Sequence, residues 1–292
     1  MKTGFIGLGI MGSRMAKNLL QNGVDLAITN RTKEKGDELL AEGAAWFDTP
    51  AELAQNTTLV FTMLSTPEVV REVAFGENGF VDKMPENALW VDCSTVNPSF
   101  TREMAKKSEK AGIRFMDAPV SGSLIPAENG ELVFLVGGEK KDFEQLEEMF
   151  LFMGKNAHYL GENANGTSAK MVVNAMLGQA LVAFSECITL GKSLGLDRDK
   201  LFKILIGGPL TAPFVGLKKE NFINNEYPTE FPLKWMHKDL FLASVSTFEN
   251  NCALPSLNAG KELYGAAKAS GLGDKDMSAV YQYIMEKLNY KI

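Results

Sequence analysis

Residues 3–12 read TGFIGLGIMG, a short apolar run followed by three glycines at the spacing G-x-G-x-x-G. A strand that turns into a helix through such a loop is typical of dinucleotide binding. The first glycine permits a tight turn, the second lets backbone approach a pyrophosphate, and the third lets helix pack on strand. The free N–H groups at the helix N-terminus then face the anion. The stretch predicts a cofactor cradle made of Gly7, Leu8, Gly9, Ile10, Met11 and Gly12.

Strand-like and helix-like segments alternate along the first half of the chain. Short apolar runs, mostly without charge, predict buried parallel strands; they cover residues 3–7, 26–29, 59–64, 89–92, 114–117 and 133–136. Amphipathic segments between them predict helices at residues 11–22, 32–41, 67–75, 98–111 and 141–153. Such alternation is typical of an α/β fold with a Rossmann-type, doubly wound parallel sheet.

The strand signal stops at about residue 163. Residues 167–194 form one long apolar helical run, and residues 198–206, 233–248, 258–270 and 274–288 also favour helices. The sequence therefore predicts a dinucleotide-binding domain over residues 1–163 and an all-α domain over residues 164–292, joined by a long interdomain helix.

Composition excludes several classes of protein. The chain has 292 residues, 45% of them apolar and 23% charged, which is typical of a soluble globular protein. A net charge of −6 offers no basic footprint for nucleic acid. Two histidines and three separated cysteines favour a metal-free protein of the reduced cytoplasm. The charge-free stretch 171–185 is shorter than the ~20 residues that cross a bilayer, so we expect a buried helix and no membrane.

The end of the second predicted strand bears on the choice of cofactor. NAD is usually held there by an acidic residue on the ribose, but this chain has Asn30, Arg31 and Thr32. A guanidinium matches phosphate oxygens, so the segment favours the 2′-phosphate of NADP(H), with NAD(H) as the weaker cofactor. The alternative is that Arg31 is a solvated residue at a helix start.

Lys170 stands out because it lies inside an apolar stretch. Asn174 follows four residues later and therefore shares its helix face. The lysine either extends harmlessly to the surface or is partly desolvated and donates a proton, with Asn174 as its companion. The spacing leaves both interpretations open.

Four separated motifs, in order, extend these observations to the whole chain: residues 7–12, 117–122 (DAPVSG), 161–174 and 238–240 (KDL). On these motifs the chain resembles the β-hydroxyacid dehydrogenase family. That family includes 3-hydroxyisobutyrate dehydrogenases, tartronate semialdehyde reductases and glyoxylate/succinic semialdehyde reductases. The resemblance covers essentially all 292 residues. It implies a homodimer or homotetramer.

The resemblance also implies roles for individual residues. It makes Lys170 and Asn174 catalytic, and it places Phe231 in the substrate pocket. Asp239 would brace Lys238 or the active site, and it would belong to the substrate-binding residues. The substrate carboxylate would be held by Ser121, Gly122 and Ser123. The cofactor would be contacted by Met63, Leu64, Ser65, Thr95 and Lys238.

Two departures bear on the substrate. Ser123 and Ala164 stand where the family commonly has glycine, and Ser123 together with residues 30–32 is most similar to the glyoxylate/succinic semialdehyde reductases. The predicted function is therefore NADPH-dependent reduction of small aldehyde acids to hydroxy acids. The alternative is a 3-hydroxyisobutyrate dehydrogenase or a tartronate semialdehyde (2-hydroxy-3-oxopropionate) reductase. A catalytically dead binding module or an imine reductase would be expected to lack Lys170.

Overall fold

Parallel strands alternate with helices in the first half of the computed structural model, which describes residues 2–287, and helices make up the rest. The strands are β1 (Thr3–Ile6), β2 (Leu26–Thr29), β3 (Ala45–Trp46), β4 (Leu59–Thr62), β5 (Leu89–Asp92), β6 (Arg114–Asp117), β7 (Val120–Ser121), β8 (Leu132–Val136) and β9 (Gly154–Tyr159). The helices up to residue 153 are α1 (Ile10–Gln21), α2 (Asp37–Ala41), α3 (Pro50–Gln55), α4 (Pro67–Phe75), α5 (Pro98–Lys110), α6 (Leu124–Glu128) and α7 (Lys140–Met153). The later helices are α8 (Asn165–Ser193), α9 (Arg198–Leu205), α10 (Pro213–Leu217), α11 (Lys219–Asn224), α12 (Leu233–Glu249), α13 (Pro255–Ala267) and α14 (Val280–Lys287).

The main sheet has the strand order β3-β2-β1-β4-β5-β6, and all its pairings are parallel. Every residue of β1, β2, β4 and β5 is buried. Successive side chains point to opposite faces, so Phe61 of β4 joins one core and Val60 joins another. Strands that are buried along their whole length are typical of a parallel sheet with both faces covered. The doubly wound α/β fold with a helical second domain is confirmed.

The predicted strand over residues 133–136 is real, but it does not belong to the main sheet. It forms β8 of a second sheet, where it pairs antiparallel with β7 and parallel with β9. Its apolar composition indicates burial without specifying a partner. The two partner strands were not predicted from the sequence, because β7 has only two residues and β9 (Gly154–Tyr159) is largely polar, with Lys155, Asn156 and His158 exposed.

Contacts divide the chain into two compact units, with the division between Lys170 and Met171. The sequence analysis placed the boundary between residues 163 and 164. The difference arises because the first turn of α8 is bonded to the first unit, through N–H groups of Ala164 and Thr167 that donate to Asp117. The second unit has its own core, in which Phe184, Phe202, Phe222, Tyr264 and Tyr281 are buried.

Two helix starts near the C-terminus differ from expectation. The predicted helix 258–270 begins three residues earlier as α13, and the helix predicted from residue 274 begins at Val280 as α14. Gly271, at φ +88°, interrupts the helical path, and the 3₁₀ turn Met277–Ala279 precedes α14. Residue 288 lies outside the described residues.

Helix α8 is 29 residues long and therefore extends well beyond the 15-residue charge-free stretch 171–185 within it. By length and composition it is the one helix among the described residues that is long and apolar enough to cross a membrane. Core helices of soluble proteins pass the same test.

Candidate active site

The glycine loop joins β1 to α1, and each glycine meets a different steric demand. Gly7 has φ +101°, which favours glycine. A Cβ on Gly12 would lie 1.9 Å from the carbonyl oxygen of Gly7, so only glycine lets α1 approach β1 this closely. A Cβ on Gly9 would meet no protein atom within 4 Å among the described residues, so its lack of a side chain leaves an open surface at the start of α1.

The N-terminus of α1 has no side-chain cap and no acidic residue in its first turn, within the described part of the chain. Its free N–H groups and the positive end of the helix dipole therefore face outward from Gly9. Ile10 is 40% exposed beside it, whereas Leu8 is buried and Met11 packs on the core. An uncapped helix start next to an open glycine fits a dinucleotide pyrophosphate.

The loop after β2 is bonded to the glycine loop. The Leu8 N–H donates to Oδ1 of Asn30 at 3.0 Å, and Nδ2 of Asn30 donates to the Thr32 carbonyl at 2.9 Å. Both ends of the Asn30 amide are thus engaged in shaping the loop. Arg31 and Thr32 are exposed. Nζ of the next residue, Lys33, lies 5.5 Å from the ring centroid of Trp46. Lys33 was not predicted as a site residue, because Trp46 lies on strand β3, which was not predicted either.

The strand register brings the other predicted cofactor residues to the same sheet edge. Ile6 is level with Thr62, and Thr62 is level with Asp92, so the loops that follow β1, β4 and β5 start side by side. The order β2-β1-β4 is the switch point at which such sheets bind ligands. The half-buried residues along these loops are Met63, Leu64, Ser65 and Thr95.

These loops are also linked by hydrogen bonds. The Leu64 N–H donates to Oγ of Ser94 at 2.9 Å, and the Ser94 N–H donates to Oδ1 of Asp92 at 3.1 Å. Asp92 also accepts the Thr62 hydroxyl at 2.8 Å. The loop after β4 and the loop after β5 are therefore held as one surface beside the glycine loop.

The predicted carboxylate site follows β6. Ser121 lies in β7, and Gly122 has φ +128°, where a Cβ would lie 2.8 Å from Cδ2 of Leu132. Ser123 precedes α6, and its side chain makes no capping bond among the described residues. Ser121 and Ser123 are half-buried and Gly122 is exposed, so two hydroxyls flank an exposed backbone segment.

Lys170 and Asn174 lie one turn apart on α8. Only 8% of Lys170 and 1% of Asn174 are exposed. Nδ2 of Asn174 donates to Oδ2 of Asp239 at 2.6 Å, and Nζ of Lys238 lies 3.0 Å from the other carboxylate oxygen of Asp239. This contact fixes the Asn174 amide, whose buried Oδ1 accepts no hydrogen bond from the described residues. Asn174 and Asp239 are 65 positions apart in the sequence, so local sequence patterns could not predict the pairing.

Phe231 is half-buried and packs against the core of the helical unit, and its backbone is held by a buried ion cluster. Oδ2 of Asp276 accepts the Phe231 N–H at 3.1 Å and lies 3.2 Å from Nζ of Lys218. Lys218 also donates to Glu230 at 2.8 Å. The sequence analysis missed Lys218 and Asp276, because nothing near them in sequence signals that they pair.

Within residues 2–287, no group of three or more His, Cys, Asp or Glu side chains could hold a metal ion. The predicted absence of a metal remains a prediction. In the helical unit, the Asn174 amide and the Lys238 ammonium group both contact the Asp239 carboxylate, and Asn174 lies one turn along α8 from Lys170. Such groups suit acid–base chemistry on a small substrate.

Two family models match the chain. Residues 2–161 match the NAD-binding domain of 6-phosphogluconate dehydrogenase, and residues 164–284 match the NAD-binding model of NADP-dependent 3-hydroxyisobutyrate dehydrogenase. Among solved structures, a Mycobacterium tuberculosis 3-hydroxyisobutyrate dehydrogenase with L-serine has a TM-score of 0.87 at 28% identity, covering 97% of this chain and 98% of that one.

Curated relatives span nearly the whole chain. Glyoxylate/succinic semialdehyde reductase 2 of Arabidopsis thaliana, a chloroplastic protein, is 40% identical over 96% of this chain and 78% of its own length. Reductase 1 of the same plant is 38% identical over 97% of this chain and 98% of its own length. The chain also aligns with about half, 51%, of the human cytokine-like nuclear factor N-PAC, at 35% identity. The chain therefore belongs to the β-hydroxyacid dehydrogenase family, near the glyoxylate/succinic semialdehyde reductases, and is an oxidoreductase that uses a pyridine nucleotide.

Proposed function

We propose that the protein reduces small aldehyde acids, such as glyoxylate or succinic semialdehyde, to hydroxy acids with NADPH. The observation that carries the proposal is the burial of Lys170 on the same face of α8 as Asn174, whose amide is fixed by Asp239. The names of the Arabidopsis relatives support the substrate class. The alternative substrates are 3-hydroxyisobutyrate, which the match to a 3-hydroxyisobutyrate dehydrogenase model supports, and tartronate semialdehyde (2-hydroxy-3-oxopropionate), which the family resemblance implies.

A nicotinamide cofactor, when bound, would supply the hydride that reduces the aldehyde carbon. Lys170 donates a proton from Nζ to the carbonyl oxygen as negative charge develops there, and it accepts that proton in the reverse direction. Oδ1 of Asn174 offers a buried acceptor beside it. The hydroxyls of Ser121 and Ser123, with the backbone at Gly122, hold the substrate carboxylate through charge-assisted hydrogen bonds. The family resemblance supports Phe231 as a substrate-binding residue.

The preference for NADPH rests on the loop after β2. Asn30, Arg31 and Thr32 carry no acidic group to receive the ribose 2′-hydroxyl of NADH. The exposed guanidinium of Arg31 offers a forked donor for a 2′-phosphate, and the neighbouring Lys33 adds positive charge. The family resemblance supports Lys238 as a further cofactor residue.

Self-association and a cytoplasmic location complete the proposal. Exposed apolar side chains lie along α8 at Val172 (70% exposed), Met176 (68%) and Leu190 (58%), and directly after the helix at Leu194 (69%). Exposed apolar patches of this kind mark interfaces. We therefore expect a homodimer or homotetramer. We also expect that neither nucleic acid nor a membrane is a partner.

Substitution of Lys170 tests the mechanism. Lys170→Met should lower kcat by about 10²–10⁴-fold, the usual worth of a positioned acid, while the Kd for NADPH stays nearly unchanged. Lys192→Met, on the same helix and half-buried, is the matched control and should keep wild-type turnover. A normal kcat in Lys170→Met would refute the proton-donor role.

A substrate screen tests the carboxylate site. Succinic semialdehyde and butanal share a four-carbon aldehyde and differ in the carboxylate, so NADPH oxidation should be at least tenfold more efficient with the acid. Methylmalonate semialdehyde and tartronate semialdehyde test the alternative substrates in the same assay. Equal kcat/KM for butanal and succinic semialdehyde would show that Ser121–Ser123 do not bind a carboxylate.

A further inference from the structure

The carboxylate of Asp117 lies at the start of the helix that carries Lys170. Asp117 is the last residue of β6 and is 1% exposed. Its Oδ1 accepts the Ala164 N–H at 2.7 Å, and its Oδ2 accepts the Thr167 N–H at 2.7 Å and the Thr167 hydroxyl at 3.0 Å. Because the first N–H groups of a helix have no partner within it, this carboxylate satisfies donors that would otherwise be buried and unpaired.

The bond to Ala164 holds a strained residue. Ala164 has φ +77°, in the left-handed region that favours glycine, and it is completely buried. Placing a residue with a Cβ there costs about 1–2 kcal/mol. The strain persists because its N–H is bonded to one oxygen of Asp117 while the helix that follows is bonded to the other.

Close packing leaves the first turn of α8 little freedom to move. A Cβ on Gly166 would lie 2.2 Å from the Leu135 carbonyl oxygen and 3.0 Å from Oδ2 of Asp117. A Cβ on Gly137 would lie 2.7 Å from Oδ1 of Asp117. The Thr167 hydroxyl also contacts the Thr101 hydroxyl of α5 at 3.0 Å. The start of α8 is therefore bonded to the end of β6 and to α5, and it packs closely against β8.

We propose that Asp117 is a positioning residue for the reaction, because its two carboxylate oxygens fix the helical turn from which Lys170 projects. The proposal rests on the proposed role of Lys170 as proton donor. Lys170 follows Thr167 by three residues, about one turn and about 4.5 Å along the axis. A shift of about 1 Å in the position of a reacting group can lower a rate about 10²-fold.

Both oxygens are needed, which makes Asp117→Asn a sharp test. An amide can accept one of the two backbone N–H groups, but its NH₂ then faces the other donor. The start of α8 would lose one bond and gain a repulsive contact. We expect kcat to fall about 10–100-fold while the Kd for NADPH changes less than about twofold.

Asp142→Asn is the matched control. Asp142 is equally buried, at 2% exposed, lies in the first turn of α7, and pairs with Arg114 rather than with α8. This variant should lose stability but keep kcat. A kcat of Asp117→Asn within threefold of wild type, or an equal loss in Asp142→Asn, would overturn the proposal.

A double variant separates positioning from a general structural effect. If Asp117 acts through Lys170, adding Asp117→Asn to Lys170→Ala should change the residual kcat less than about twofold, because residues that act as a unit are not additive. Multiplication of the two losses would overturn the proposal and leave the proton-donor role intact. Normal turnover of Lys170→Ala alone would instead refute that role.

Thr167→Val keeps the proposal testable if Asp117→Asn does not fold. Valine has a similar shape and removes only the hydroxyl, and therefore one of the three bonds to the carboxylate and the contact to Thr101. We expect a folded protein with kcat lowered about threefold to tenfold, in line with one lost hydrogen bond to a charged group. An unchanged kcat would count against the positioning role.

Discussion

Gly9→Ala and Gly12→Ala should affect different properties of the protein: the first should weaken NADPH binding, and the second should lower stability. Gly9 has φ −77° and ψ −167°, which alanine adopts, and its Cβ would meet no atom of the described chain within 4 Å. Gly9→Ala should therefore change the free energy of unfolding by less than about 1 kcal/mol. The new methyl would nevertheless stand where a pyrophosphate must approach the backbone.

The magnitude follows from the hydrogen bonds that a displaced phosphate loses. Each bond from an N–H of α1 to a charged oxygen contributes about 1.5–3 kcal/mol, so loss of one raises the Kd for NADPH about tenfold to 150-fold. Gly12→Ala places its Cβ 1.9 Å from the Gly7 carbonyl, where α1 must move away from β1. It should lower the free energy of unfolding by about 1–3 kcal/mol or more.

Titration with NADPH by fluorescence and unfolding in urea measure the two quantities on the same samples. The expected pattern is a stable Gly9→Ala with weak cofactor binding and a destabilised Gly12→Ala. An unchanged Kd in Gly9→Ala would refute a phosphate at the N-terminus of α1. Wild-type stability of Gly12→Ala would refute the close approach of α1 to β1.

Four further outcomes are expected. Arg31→Ala should lower the preference for NADPH over NADH, as kcat/KM, about tenfold or more, because it removes a charge-assisted contact to phosphate; equal kcat/KM for both cofactors in the wild type would contradict this. Burial raises the pKa of Asp117 to about 6 despite its hydrogen bonds, so between pH 4 and 6 the folded chain holds a proton there that the unfolded chain has mostly released, and the stability this provides is lost as pH rises through 6. Relative to Asp117→Asn, urea unfolding should show the wild type losing about 2 kcal/mol between pH 4 and 7. Lys218→Met should lower the free energy of unfolding by about 3–5 kcal/mol, because it leaves the fully buried Asp276 without its cation; a normal melting temperature would contradict this. Met176→Asp should shift the protein toward monomers in sedimentation velocity, and a monomeric wild type at micromolar concentration would remove the basis for this expectation.

The sequence by itself determined the class of fold and the place of the cofactor loop. Charge-free runs rich in large apolar residues, such as residues 59–62 (LVFT), indicate strands buried on both faces, because no polar side alternates along them. The glycine spacing at residues 7–12 specifies a strand, a turn and a helix within ten residues. Such patterns are local, so they predict structure without any knowledge of the path of the chain.

Contacts between distant residues were decided by the tertiary structure. Residues 133–136 form a strand as predicted, but they pair outside the main sheet, because burial carries no information about the partner strand. Asp117 reaches Ala164 and Thr167 across 47 and 50 residues, and Asn174 reaches Asp239 across 65. Each pairing depends on which strand ends and helix turns the folded chain brings together. The sequence could therefore indicate Lys170. Only the fold shows that Asp117 anchors the helical turn before Lys170 and that Asp239 orients the Asn174 amide after it.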